Sequence, residues 1–247
     1  MSNKLIINAD DYGMSESINQ AIEFCLVNEV IDRATLMVNM PYSESAVKKI
    51  SELNLNKKIG LHLNLTEGTP LTCDILNTEF CENGVFSGKV FETHPFSKFV
   101  LKKRVKLAIE EELRAQIEKY MNYNISQEIH VDSHQHVHIK WSLLRVLLPL
   151  LREYNIKSIR LGINIPNNIN VIKKIYRALV NKMIHKYDCS GIVDAGGIAA
   201  LNNLLEINDG KIYKMTETWI HPDMLDGRLI DRFYPDNIIE FKRRWKL

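Results

Sequence analysis

Apolar positions along the chain switch repeatedly between a two-residue and a helical period. Lys4 to Ala9 is a short run of β-branched character ending in Asp10-Asp11-Tyr12-Gly13, and Ser15-Glu-Ser-Ile-Asn-Gln can then open a helix. Ile18, Ala21, Ile22 and Cys25 follow at helical spacing. The rhythm repeats: Ala34 to Asn39 predicts a strand, Ser43 to Leu53 a helix, and Lys58 to Leu65 alternates again. Arg104 to Tyr123 is the strongest helical pattern, with Leu107, Ala108, Leu113, Ile117 and Tyr120 on one side and charged residues elsewhere. Glu128 to Asp132 (strand), Ser142 to Tyr154 (helix), Ile156 to Leu161 (strand) and Val171 to His185 (helix) continue it. The last quarter predicts a strand at Gly191 to Asp194, a helix near Ala199 to Glu206, a strand from Lys211 to Ile220 and a basic amphipathic end, Asn237 to Lys246.

Repeated βα units imply a parallel sheet. About seven of them in one unit of this length favour an irregular (β/α) barrel, a single domain over residues 1–247, over an open doubly wound sheet. No GxGxxG follows the first strand, which weakens a dinucleotide-binding alternative. Glu67 to Phe96 breaks the rhythm with Gly68, Pro70, Gly84, Gly88 and Pro95 and is expected as a loop-rich insertion, the kind that forms a lid or a rim.

Composition narrows the chemistry. With 45% hydrophobic and 25% charged residues among 247, the chain is expected to bury a substantial core. Thirty-two basic against 30 acidic side chains leave a net charge of +2 with no basic run, so nucleic acid is not an expected partner. Cys25, Cys73, Cys81 and Cys189 show neither a CxxC spacing nor the density of a disulfide scaffold, which fits a reducing cytoplasm. With Asp10 and Asp11 so early, no signal peptide is expected, and no apolar run approaches the ~18 residues of a membrane span. The histidines are the exception to an even composition: four of eight fall within the nine residues His130 to His138.

Every cluster of candidate chemistry falls at or near the C-terminal end of a predicted strand, the face on which (β/α) barrels assemble their sites. Asp10 and Asp11 follow the first strand, His62 and Asn64 close another, Asp132 to His138 a third, Arg160 a fourth, and Glu217 to His221 the last. In extended geometry Asp10 and Asp11 point to opposite sides, so one could bind a metal while the other takes a proton, or one could cap the following helix. His62, Asn64 and Thr66 alternate with Leu61, Leu63 and Leu65, which describes a site wall, although a lone histidine there is commonly a hydrogen-bonded core residue. His130, Asp132, His134, His136 and His138 would share one face of an extended strand and its exit. One or two could ligate a metal, with the others orienting ligands or touching substrate, unless the strand is simply a solvated surface one. Glu217 lies on the strand face of His221 and could orient it or sit one layer deeper. Arg160 could serve the site or form a surface salt bridge.

Together, Asn8-Ala-Asp-Asp-Tyr-Gly13, Gly60-Leu-His-Leu-Asn-Leu-Thr-Glu-Gly-Thr-Pro70, His130-Val-Asp-Ser-His-Gln-His-Val-His138 and His221-Pro222 resemble the YdjC-like carbohydrate deacetylases, which include the chitooligosaccharide deacetylases. The resemblance implies a (β/α) barrel with fewer than eight regular units and a divalent metal, Mg by family association. It also implies removal of N-acetyl groups from acetylated amino sugars such as diacetylchitobiose. By motif, it implies Asp11, His62 and His134 as metal ligands, Asp10 as general base and His221 as acid. Asn64, Asp132, His136, His138, Arg160 and Glu217 are then expected around the ligands or against substrate. This chain departs from the pattern at Gln135, where the family often has a third consecutive histidine, and at Tyr12, where it has Phe; from about Leu161 to Tyr213 the likeness is poor. Imidazole ligands equally suit Zn or another first-row metal.

Two further functions fit the same residues: hydrolysis of another amide, ester or phosphoester, and non-catalytic sugar binding on the same fold. A two-metal phosphatase would call for more ligands than one Asp and two His. The basic C-terminal segment allows a homodimer.

Overall fold

The computed structural model describes residues 4–162, 170–187, 197–200 and 215–234. β1 (Lys4–Tyr12) buries Ile7, Ala9 and Tyr12, and Ser15 then caps α1 (Glu16–Val27) by accepting a hydrogen bond from Ile18 N at 3.2 Å. α1 buries Ile18, Ala21, Ile22, Cys25 and Leu26, its stripe at helical spacing. Each large aliphatic side chain so buried contributes about 1.5–3 kcal/mol. β2 (Arg33–Leu36), α2 (Ser43–Glu52) and β3 (Ile59–Leu63) continue the alternation.

The insertion after β3 is built rather than loose. It holds a two-stranded hairpin, β4 (Cys81–Glu82) and β5 (Val85–Phe86), then the short α3 (Val90–Thr93), and it buries Phe80, Phe86, Val90 and Phe91. The hairpin turns on Asn83 and Gly84, both at positive φ (52° and 82°), the conformation that an Asn-Gly pair adopts most readily. α4 (Lys103–Asn122) follows, then β6 (His130–Ser133), α5 (Trp141–Glu153), β7 (Ser158–Ile159), α6 (Val171–Lys186), β8 (Gly197–Ala200) and β9 (Met215–Ile220). Within α4, Leu107 is 55% exposed rather than part of the buried face, which runs through Val105, Ala108, Ile109, Glu112, Leu113, Gln116, Ile117 and Tyr120. Two polar side chains take part in that face because the insertion and β3 offer them backbone partners.

The sheet runs β7-β6-β3-β2-β1-β9-β8, with every hydrogen-bonded pair of neighbours parallel. It is a curled, roughly barrel-like sheet. Among the described residues nothing pairs its outer strands β7 and β8, so the expected barrel is seen as a half-barrel rather than a closed one. Ala199 and Ala200 belong to β8, paired with Thr218 and Trp219 of β9, and not to a helix: backbone pairing with β9 overrides the helical preference of alanine. Regular structure continues past Pro222, where β10 (Pro222–Leu225) and β11 (Arg228–Asp231) form an antiparallel hairpin beside α1. The expected strand at Gly191 to Asp194 and the basic end Asn237 to Lys246 lie outside the described residues. No helix among the described residues is long and apolar enough to cross a membrane.

Candidate metal centre

Asp11 is the hinge of the site. Strand alternation would turn its carboxylate away from that of Asp10, but Asp11 has φ +72°, and the β1–β2 register shifts between Ala9 and Tyr12. Both carboxylates are consequently buried within one cluster, at 2% and 1% exposure. The expectation that they face opposite ways gives way to this local break in the strand.

Asp11 Oδ1 meets two imidazoles. His134 Nδ1 lies 2.7 Å away, and His62 Nε2 lies at 3.2 Å without hydrogen-bond geometry, a buried nitrogen with no hydrogen-bond partner among the described residues. On its other side His62 Nδ1 sits 2.6 Å from Asp132 Oδ1, and His134 Nε2 sits 3.1 Å from Glu67 Oε1. Arg232, at the end of the β10–β11 hairpin, donates to Asp11 Oδ2. Burial alone would lower the pKa of His62, but the charges of Asp132 and Asp11 outweigh it and push it up to about 10. Burial would likewise raise Asp11, yet the hydrogen bond from His134 and the nearby charges of His62 and His134 hold it well below the ordinary carboxylate range.

Asp11, His62 and His134 each bring one ligand atom within 4.8 Å of the others. Asp10, His62 and Asp132 form a second such group, but both of its carboxylates are neutralised by one buried arginine, whereas in the first group Arg232 takes only Oδ2 of Asp11 and leaves Oδ1 facing the imidazoles. The first group therefore fits a divalent cation better. One carboxylate oxygen and two imidazoles converge, one nitrogen is left unsatisfied, and a carboxylate stands behind each ring.

That arginine is Arg160, fully buried beyond β7. It donates to both oxygens of Asp10 at 2.7 Å, lies 2.6 Å from Asp132 Oδ2, and donates through Nε to Glu217 at 2.8 Å. Its burial excludes a surface salt bridge. Burial raises Asp10, but Arg160 overcomes it and holds Asp10 far below the ordinary carboxylate range. Glu217 sits one layer deeper than His221, shared between Arg160 and Arg33, the latter 2.7 Å away.

The histidine run does not present one extended face. Extended backbone ends at Ser133, and a 3-10 segment, His134–Ile139, follows with Gln135 and His136 at φ 52° and 51°. These left-handed residues separate the members of the run. His130 is a core residue 2.8 Å from Ser158 Oγ. His136 packs edge-on against Trp219 at 4.7 Å. His138 lies 2.6 Å from Ser133 Oγ and 3.1 Å from the Arg160 carbonyl, so both of its nitrogens are used in bracing and none is left for substrate. Asn64 likewise folds its own turn: its Oδ1 accepts from Thr66 N and Glu67 N at 3.0 and 3.1 Å.

His221 follows β9 with its ring edge-on to Phe233 at 4.5 Å and its backbone N–H donated to Asp231 at 2.9 Å. Burial lowers its pKa despite the pull of Asp10 and Asp11. Glu67 and Arg232 were not legible as site residues. Glu67 stands at the edge of a Gly- and Pro-rich stretch, and Arg232 reaches Asp11 through the hairpin after Pro222, whose Asp226-Gly227 turn is the one local signal that could have revealed it.

The family model described as YdjC-like protein matches residues 4–243. A carbohydrate deacetylase of Vibrio cholerae serotype O1 is 33% identical over 154 residues, covering 62% of this chain and 57% of that protein. One from Brevibacillus brevis is 36% identical over 153 residues, with the same coverage of 62% and 57%. The match thus spans little more than half the length of these relatives. A carbohydrate deacetylase of Thermoanaerobacter pseudethanolicus is 26% identical over 228 residues, 92% of this chain and 84% of that one. A solved structure from Enterococcus faecalis V583, described as a cellobiose-phosphate cleavage protein, is 25% identical, covers 91% of this chain and 83% of its own, and superposes with a TM-score of 0.66.

Proposed function

The chain belongs to the YdjC-like family, and from that premise we propose that it is a metal-dependent carbohydrate deacetylase that removes N-acetyl groups from acetylated amino sugars, chitooligosaccharides among them. The observation that carries this reading is the convergence of Asp11, His62 and His134, with the buried Nε2 of His62 lacking a hydrogen-bond partner among the described residues. The names of the relatives support the reaction class.

Asp11, His62 and His134 would hold one divalent ion, magnesium by family association, with zinc or another first-row metal compatible with the imidazoles. Such an ion supplies a water of lowered pKa and polarises an amide carbonyl. Asp10 is kept ionised by Arg160 and is the group to take that water's proton, since Oδ2 accepts one hydrogen bond from Arg160 and retains acceptor capacity. Its depressed pKa makes it a weak base, suited to a water already acidified. His221 is the group to deliver a proton to the departing amine; burial lowers its pKa, so at neutral pH the ring is mainly neutral and must first take up the proton it then delivers. Arg160, Asp132 and Glu217 are buried and fix these groups through their ion pairs.

The test is acetate release from N-acetylated chitooligosaccharides, with chelation abolishing it and metal restoring it. Asp10→Asn is expected to lower kcat by about 10²–10⁴ while metal still binds. Cleavage of phosphoesters or glycosidic bonds without acetate release would refute the reading.

A further inference from the structure

Asp132 and Glu67 occupy equivalent places. Each carboxylate stands on the far nitrogen of an imidazole whose near nitrogen faces Asp11 Oδ1: Asp132 behind His62 at 2.6 Å, Glu67 behind His134 at 3.1 Å. They differ in setting. Asp132 is buried on β6, whereas the Glu67 side chain is 44% exposed at the start of the insertion.

The aim of Glu67 is fixed by a chain of hydrogen bonds. Asn64 Nδ2 donates to the Glu67 carbonyl at 2.7 Å while its Oδ1 accepts from Glu67 N, closing the turn. The Asn64 backbone is pinned by Gln116, which accepts from its N–H at 2.9 Å and donates to its carbonyl at 2.7 Å. Gln116 also donates to Glu112 at 2.8 Å, and Glu112 accepts from Leu71 N and Thr72 N of the insertion at 3.0 and 2.8 Å. A turn tied down at this many points, on the rim of a site, holds its carboxylate against one specific ring.

We propose that Glu67 is a positioning residue for the metal centre: by holding Nε2 of His134 it turns Nδ1 of that ring toward Asp11, and so links the insertion to metal affinity. The inference rests on reading Asp11, His62 and His134 as the metal ligands. A carboxylate hydrogen-bonded to a ligating imidazole fixes its tautomer and raises its basicity, and loss of such a partner typically weakens metal binding about 10- to 100-fold. The longer contact and partial exposure of Glu67 place it at the lower end of that range.

The experiment titrates the metal-free full chain with Co²⁺ and with Mn²⁺, following the Co²⁺ absorption spectrum and calorimetric heat, for the wild type, Asp11→Asn, Glu67→Gln and Glu67→Ala. The expected result is one equivalent bound by the wild type, about tenfold weaker binding by Glu67→Gln, at least as large a loss for Glu67→Ala, and an unchanged urea midpoint for both metal-free Glu67 variants. If Glu67→Gln binds metal as the wild type does and raises only KM for the sugar, Glu67 is a substrate contact and the inference is overturned. If the wild type binds no metal, or Asp11→Asn binds it equally well, the reading of the centre fails and the inference falls with it.

Discussion

His62 is held between two carboxylates, its Nδ1 2.6 Å from Asp132 Oδ1 and its Nε2 3.2 Å from Asp11 Oδ1. Thr35 donates to Asp132 Oδ2 at 3.1 Å and so fixes the carboxylate that fixes the ring. Asp132→Asn keeps the size of the side chain and removes the charge behind the imidazole. Metal affinity measured by titration is expected to fall about 10- to 100-fold. An unchanged affinity would mean that Asp132 serves Arg160 alone.

The same pair predicts a pH dependence. His62 in the metal-free protein keeps its proton up to a pH of about 10, against an ordinary value of 6.5, because Asp132 and Asp11 outweigh the opposing effect of burial. A cation must displace that proton, so binding at neutral pH releases it and apparent affinity rises about tenfold per pH unit for each proton lost. Calorimetry in buffers of different ionisation enthalpy counts the protons; zero release at neutral pH contradicts the assignment. Because the folded-state pKa is raised, its contribution to the stability of the metal-free fold is complete below 6.5 and is lost as pH rises through about 10.

Arg160 is the counter-charge of three buried carboxylates, Asp10, Asp132 and Glu217. Arg160→Met strips Asp10 of its arginine and leaves Asp132 and Glu217 to His62 and Arg33, and is expected to cost about 3–5 kcal/mol, read from urea unfolding. Arg160→Lys keeps the charge but cannot bridge both oxygens of Asp10 while holding Glu217, so kcat should fall even where the protein folds. Full activity in Arg160→Lys would show that the paired geometry on Asp10 is dispensable.

Gly60 in β3 has no room for a side chain. A Cβ there would lie 2.5 Å from the His130 carbonyl oxygen and 3.0 Å from Thr35 Cγ2. The obstacle is the backbone of a neighbouring strand, which cannot rotate aside. Gly60→Ala is expected to cost about 1–3 kcal/mol by urea midpoint and to disturb Thr35, and through it Asp132. A wild-type midpoint would show that β3 and β6 can part without loss.

Much of the fold was written along the chain. The alternation of periods carried the βα order, because a parallel sheet covered by helices needs long apolar strands and striped helices whatever their neighbours are. Asp10, Asp11, His62 and Arg160 were readable as candidate site residues because polar groups at the ends of apolar strands seldom serve packing alone. Leu107 and the histidine run were misread for one reason: periodicity assumes that regular backbone continues, and it cannot see where a face turns outward or where Gln135 and His136 leave the extended region.

The sequence by itself determined the elements and the kinds of chemistry available to them. Tertiary structure decided which residues share the work. The αL turn at Asp11 rotates its carboxylate into the cluster beside Asp10, Arg160 draws together carboxylates from β1, β6 and β9, and Glu67 and Arg232 arrive from an insertion and a hairpin. Those contacts join residues up to 221 positions apart. They form because buried charge must be paired wherever the folded chain brings a partner, a constraint of three-dimensional packing that no local spacing encodes.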